Sequence, residues 1–279
     1  VQERLRALGV SAELILVETS GDVAVTASLA SLAGQGIFSV EVQRAVLTDQ
    51  ADVAVHSAKD LPSQTPDGLV LSCVPERRDP VDVLVGRTLA GLGPGATVAT
   101  GSPRRRALLL ERRPDLHIVE LRGNMATRLA VSDGPEVDAV VAAAAALERL
   151  GELSRVAERL DPSWFVPQVG QGALALEVRR DDLATREMLS PLNDTSAFAT
   201  LAAERAFLRE LGAGCSVPAG AYATWVAGTM RVSGLMIAYD GSASARHVVT
   251  GSDPERLGRE LARVVRDDLG GGRLPGWHD

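Results

Sequence analysis

The α/β pattern of this chain breaks twice at proline-marked stretches and resumes each time. "PERRDPVD", with Pro75 and Pro80, is the first break, and "WFVPQVGQG" is the second. Between them an α/β run starts afresh. After the second, "ALALEVRR" reads as a strand returning to the unit the chain first left. Such a path leads to two α/β lobes that face a cleft, joined by two crossing segments.

The first lobe opens with "QERLRALG", of helical period and stopped at Gly9, followed by "AELILVET" as a strand. "TSGDVAVTASLASLAGQGIF" is small, polar and glycine-rich and reads as a mobile loop. "VEVQRAVLTDQ" is a helix, and "ADVAVHSAKDLP" is a buried, parallel-type strand ending in a polar turn. In the second lobe "ATVATGS" is a strand. "PRRRALLLERR" is a helix capped by Ser102 with Pro103 in its first turn, and "NMATRLAV" is a helix that Asn124 can cap. The last third differs. A helix closed by Gly212 precedes three alternating stretches with an Asp240-Gly241 hairpin turn, then a helix with a Ser252/Glu255 capping box, closed by Gly270. This predicts a small α+β unit with a three-stranded antiparallel sheet.

Two cysteines far apart make no disulfide framework, so a reducing, cytoplasmic setting is expected. No apolar run reaches membrane-spanning length, and the four histidines form no ligand pair at metal spacing, so neither a membrane partner nor a metal is expected. A net charge of −7 argues against a nucleic-acid binder. The basic residues are unevenly placed, however. Seven arginines fall between Arg104 and Arg128, and the only lysine among 29 basic residues is Lys59.

Ser57, Lys59 and Asp60 follow the end of a strand, where open α/β sheets bind ligands. "TGSPRRR" repeats that geometry in the second lobe: a strand end and helix start offer backbone N–H groups, and Arg104 and Arg105 offer forks suited to carboxylates. "LRGNMATR" adds Arg122 and Arg128. Together these residues predict a polyanion site. Cys73 and His56 read as packed residues. Cys215, in "GAGCSVPAG", instead sits on a bend after a helix C-terminus, a place that does not activate a thiol but leaves it free for a permanent attachment.

The chain resembles the porphobilinogen deaminase (hydroxymethylbilane synthase) family over nearly its whole length. The resemblance is carried by "TSGD", "ADVAVHSAKDLP", "ERRDPVDVLV", "ERRPDLHIVELRGNMATRL", "VGQGALALEVR" and "AERAFLRELGAGCSVPAG". It implies two periplasmic-binding-protein-like α/β domains with a double crossover and the small α+β third domain. Domain 1 is then 1–76 with 172–192, without the family's usual first strand, which bears an Arg and a Ser that bind substrate; domain 2 is 77–171 and domain 3 is 193–279. The implied activity is stepwise condensation of four porphobilinogen molecules on a dipyrromethane primer, with loss of ammonia and hydrolytic release of the linear tetrapyrrole hydroxymethylbilane. Cys215 matches the cysteine that holds the dipyrromethane cofactor. Asp60 matches the catalytic aspartate. Ser57, Lys59, Asp60, Thr100, Ser102, Arg104, Arg105, Arg122 and Gly123 match cofactor-binding positions, and Arg128, Arg149, Gln171 and Phe38 match substrate-side positions. A monomer is expected.

The sequence departs from the family's pattern at Ser20, Ser31 and Gln35, where Arg or Lys often stand, and at Gly101 and Pro103 in the cofactor-binding turn. The alternative reading is a two-lobed module that binds an anionic solute without catalysis. It needs no thiol, so the mass of the intact protein separates the two.

Overall fold

The computed structural model describes residues 1–17, 39–212 and 217–277. Phe38, Cys215 and the "TSGD" loop lie outside the described residues.

The first lobe begins with helix α1 (Gln2–Ala7), which buries Leu5. Residues 12–17 then run on without strand pairing, so the expected strand "AELILVET" is not formed there. Leu14, Ile15 and Leu16 stay out in solvent, Leu16 at 94% exposure. A period-2 pattern becomes a strand only where a neighbour takes its hydrogen bonds. Helix α2 (Val40–Leu47) buries Gln43, Ala45 and Val46. It leads to strand β1 (Ala54–Ser57), a single 3₁₀ turn at Ala58–Asp60, and β2 (Leu69–Cys73).

The second lobe is built from β3 (Asp82–Gly86), β4 (Thr97–Ala99), α3 (Pro103–Arg112), β5 (His117–Val119), α4 (Met125–Val131), β6 (Ala139–Ala143), α5 (Ala144–Leu150) and β7 (Val156–Arg159). Its sheet runs β5-β4-β6-β3-β7. β4 is parallel to β5 and β6, whereas β3 is antiparallel to β6 and β7. The helix starts are as expected. Ser102 accepts from the Arg105 N–H at 3.4 Å, and Asn124 from the Thr127 N–H at 2.9 Å.

The chain then returns as β8 (Leu174–Arg179), which lies between β1 and β2 and is antiparallel to both. The parallel-type reading of β1 is therefore corrected. β1 also buries one face only, with Val55 exposed, so its apolar run reports neither burial on both faces nor the direction of the neighbouring strand.

Helix α6 (Leu183–Leu189) and the long α7 (Thr195–Glu210) lead into the third unit, β9 (Ala219–Val226), β10 (Thr229–Ile237), β11 (Ser244–Gly251) and α8 (Pro254–Arg263). Its sheet is antiparallel, in the order β11-β10-β9. Asp253, not Ser252, caps α8: Pro254 occupies the first helical position, so the cap falls one residue later than expected. Glu255 reaches Arg209 and Arg259 instead of closing a capping box. α7 and α8 cross closely because Gly258 carries no side chain; a Cβ there would lie 2.1 Å from the Ala203 carbonyl oxygen.

The third unit joins both lobes. Leu235 and Ile237 of β10 complete the core around α3, β4 and β6. Ala197 and Leu201 of α7 complete the core around Ala58, Leu61 and Ala175. Among the described residues no helix is long and apolar enough to cross a membrane.

Candidate active site

The short turn after β1 presents Lys59 and Asp60, both half-buried. Three contacts from the second crossing segment hold it. The Ala58 N–H donates to the Ala173 carbonyl at 3.0 Å, Gln168 Nε2 donates to the Lys59 carbonyl at 3.2 Å, and Gly170 packs on the turn with φ +73°. The Lys59–Asp60 backbone is thus fixed by the segment that leads back from the second lobe into β8.

Across the cleft stands Arg128 of α4, whose Nε donates to the Gly123 carbonyl at 2.8 Å. The charges interact. Burial pushes Lys59 below its ordinary pKa, Arg105 and Arg128 push the same way, and Asp60 and Asp82 oppose them. Burial also lowers Arg128, aided by Arg105 and opposed by Asp60. Burial raises the Asp60 carboxyl above its usual range, although Lys59, Arg128 and His56 pull it down. The site therefore crowds partly dehydrated cations around one carboxyl group that favours keeping its proton.

Behind this wall lies a buried network that the sequence reading assigned differently. Arg104 and Arg105 were expected to turn their forks to ligand carboxylates. Both instead grip Asp82, a fully buried residue of β3, at 2.7 Å each. Arg104 also donates to the Val166 carbonyl at 2.6 Å, and Arg105 to the Val141 carbonyl at 3.1 Å. Burial pushes Asp82 up, but the two arginines and a hydrogen bond from Gln171 outweigh it and hold the carboxyl below its usual range. Gln171, expected on the substrate side, is itself fully buried, its amide donating to Pro80 and Asp82. An Arg after a strand end reads as a ligand group when its acid partner is far off in sequence, and Asp82 lies a lobe's edge away on β3.

The remaining expected residues are dispersed over both lobes. Thr100 Oγ1 accepts from the Ser102 N–H at 3.2 Å, so Thr100 and Ser102 shape the turn into α3. Arg122 pairs with Glu120 at 2.8 Å. Arg149 is exposed on α5. Ser57 ends β1. Cys73 is fully buried, and burial pushes its thiol up to about 11, leaving it inert at neutral pH. At the end of α3, Arg113 clamps the Leu89, Leu92 and Gly93 carbonyls, and the Arg112 guanidinium lies 4.3 Å from the Trp164 ring centroid.

Two acids escaped notice in the sequence. Glu204 of α7 accepts from Arg77 at 2.7 and 3.1 Å, from the Gly170 N–H at 2.8 Å and from the Ala223 N–H at 2.9 Å. One buried carboxylate thereby ties the first crossing segment, the second crossing segment and the third unit. Glu177 of β8 pairs with His56 and Gln43. A charged residue inside an otherwise apolar run, as in "ALALEVRR" or "LAAERAFL", is the signal for such a buried hub.

Fold and site together define a two-lobed protein whose cleft sets one acid among buried cations, suited to a ligand rich in carboxylates. Comparison with known proteins places that class. Residues 1–187 match the family model described as porphobilinogen deaminase, dipyromethane cofactor binding domain, and residues 198–267 match porphobilinogen deaminase, C-terminal domain. The chain is 42% identical to the porphobilinogen deaminase of Syntrophotalea carbinolica, across 95% of this chain and 86% of that protein. It is 41% identical to that of Bacillus thuringiensis, across 95% and 88%. The VFT2 domain of Bordetella pertussis BvgS is similar at 22% identity and a TM-score of 0.37, over 67% of this chain and 73% of that one, a likeness too loose to argue from. The chain belongs to the porphobilinogen deaminase family, whose members are transferases of tetrapyrrole synthesis.

Proposed function

We propose that this transferase releases ammonia from porphobilinogen through Asp60, that Lys59 and Arg128 hold pyrrole carboxylates beside it, and that Cys215 carries the dipyrromethane group through a thioether. The observation that carries the reading is the convergence of Asp60 and Lys59 from one lobe with Arg128 from the other. Lys59 and Arg128 are lowered by burial and by a neighbouring cation. A carboxylate entering between them relieves that repulsion, so the residues fit a polycarboxylate group. The bound dipyrromethane supplies the pyrrole to which substrate units are added.

Asp60 serves in both halves of the step. Burial raises its pKa above the usual carboxyl range, which favours the acid form able to give its proton to the leaving amine. As the C–N bond breaks, positive charge spreads over the substrate pyrrole, and the carboxylate left behind faces it. Arg122 and Arg149 offer further guanidiniums as the chain of pyrroles lengthens, while Arg104, Arg105 and Gln171 keep the wall in shape through Asp82. Phe38 is read as an aromatic at the cleft mouth. The protein is read as a cytoplasmic monomer.

Intact mass on the purified protein tests the attachment. Wild type and Cys73→Ala are expected to carry the added mass of a dipyrromethane, and Cys215→Ala to fold without it. An unmodified wild-type chain would favour a solute-binding module, and an adduct on Cys73 would remove Cys215 from its role.

A further inference from the structure

Helix α4 carries Arg128 to the cleft with little packing of its own. It has seven residues and buries one of them, Leu129, with Met125 partly covered in the same core. So short a helix is not stable in isolation, and its Asn124 cap bonds only to Thr127 in the first turn. The hold comes from Arg155, at the end of a 3₁₀ turn (Leu153–Arg155) that leads into β7. One nitrogen, Nη2, donates to the Leu129 carbonyl at 3.0 Å, to Ser132 Oγ at 3.0 Å and to the Asp133 carboxylate. Among the described residues these are the only hydrogen bonds that tie 125–134 to a distant part of the chain. A cation there meets carbonyls that the end of a helix leaves without partners. The clamp has a firm base: Val156, the next residue, pairs with Val85 of β3 and packs in the same core as Leu129.

We propose that Arg155 is a positioning residue for substrate binding: by clamping the last turn of α4 it sets the place of Arg128 across the cleft from Asp60. This rests on the reading of Arg128 as a carboxylate-binding group given above. The Leu129 carbonyl belongs to the residue directly after Arg128, so the clamp acts one residue from the one it places. At the other end Arg128 Nε donates to the Gly123 carbonyl, which ties the side chain to the start of the helix. A last turn that comes loose therefore shifts the guanidinium as well as the backbone. The Asp133 carboxylate is exposed, and an exposed ion pair contributes little. The charge-assisted bond to the half-enclosed Leu129 carbonyl carries the effect.

The test is a double-mutant cycle on kcat and KM for porphobilinogen, using wild type, Arg155→Leu, Arg128→Leu and the double variant, each purified with its covalent group. Leu keeps an apolar stem and removes the donors. Arg155→Leu should lower kcat/KM by on the order of 10- to 100-fold when Arg128 is present, since misplacing a positioning group by about 1 Å costs on the order of 100-fold. The loss should fall mainly on KM, as for a contact that binds substrate and transition state alike. In the Arg128→Leu background the same change should cost nothing further, because the two residues act as one unit. Equal losses in both backgrounds, or a lowered unfolding midpoint with KM unchanged, would make Arg155 merely structural and overturn the proposal alone. If Arg128→Leu leaves kcat/KM unchanged, the reading of Arg128 falls and takes the proposal with it. A second readout needs no turnover. Hydrogen exchange over 124–134 should quicken in Arg155→Leu while β3 and β6 keep their protection; unchanged exchange in that segment would overturn the proposal. Should Arg155→Leu not fold, Ser132→Ala combined with Asp133→Ala removes two of the three acceptors at half-buried and exposed positions. KM should then rise in the same direction, and an unchanged KM would overturn the proposal.

Discussion

Asp82 holds a guanidinium on each carboxylate oxygen, Arg104 on one and Arg105 on the other. All three side chains are buried, so removing the acid leaves two guanidiniums without their counter-charge. Asp82→Asn is expected to cost about 3–5 kcal/mol in urea unfolding, the range for breaking a buried ion pair from one side. The pH dependence follows from the direction of the shift. The folded-state pKa of Asp82 is depressed, so its contribution is complete above the ordinary carboxylate pKa and is lost as pH falls through the lowered value. Asp60 has the opposite sign. Its folded-state pKa is raised, so ionising it costs stability as pH rises through the ordinary carboxylate range to that raised value. One acid stabilises the fold while ionised, and the other is ionised at a cost to the fold.

At the scale of elements, the turn that carries Lys59 and Asp60 depends on what passes behind it. A Cβ on Gly170 would lie 2.9 Å from the Ala58 carbonyl carbon and 3.0 Å from the Lys59 nitrogen, at a φ that side chains rarely adopt. Gly170→Ala is therefore expected to cost about 1–3 kcal/mol in thermal or urea unfolding and to lower kcat by displacing the turn; full activity would show that the turn is positioned by other contacts. Such dependence marks the limit of what was legible beforehand. The caps at Ser102 and Asn124 could be read because a cap is a local event, settled within three residues. The α8 cap was misplaced by one residue because Ser252 and Asp253 are both good caps and only the placing of Pro254 decides between them. The strand "AELILVET" failed because its pattern needs a partner. The Asp82 network stayed hidden because Arg104 meets its acid only after the chain has folded back across β3, whereas the Lys59–Asp60 turn showed itself as a polar step at the end of an apolar strand.

At the scale of the whole molecule, the two lobes are held through the third unit and the two crossing segments. Glu204 is the point where these meet, and its carboxylate is fully buried. Glu204→Ala strands the Arg77 guanidinium and two backbone N–H groups, so a loss of about 3–5 kcal/mol is expected in urea unfolding, with kcat/KM reduced because Gly170 and the Asp60 turn lose their anchor. A variant as stable as wild type would mean that the lobes are fixed elsewhere. The cleft matters because Asp60 and Arg128 come from different lobes. The most direct test of this arrangement is single-turnover kinetics on Asp60→Asn carrying its covalent group. Asn keeps the size and still accepts a hydrogen bond, but it has neither the acidic proton nor the negative charge. The expected result is a folded protein whose covalent group is retained and whose rate of ammonia release falls by at least about 100-fold, the lower range for loss of a positioned acid–base group. A near-normal rate would contradict it and leave Asp60 as a turn residue after a strand.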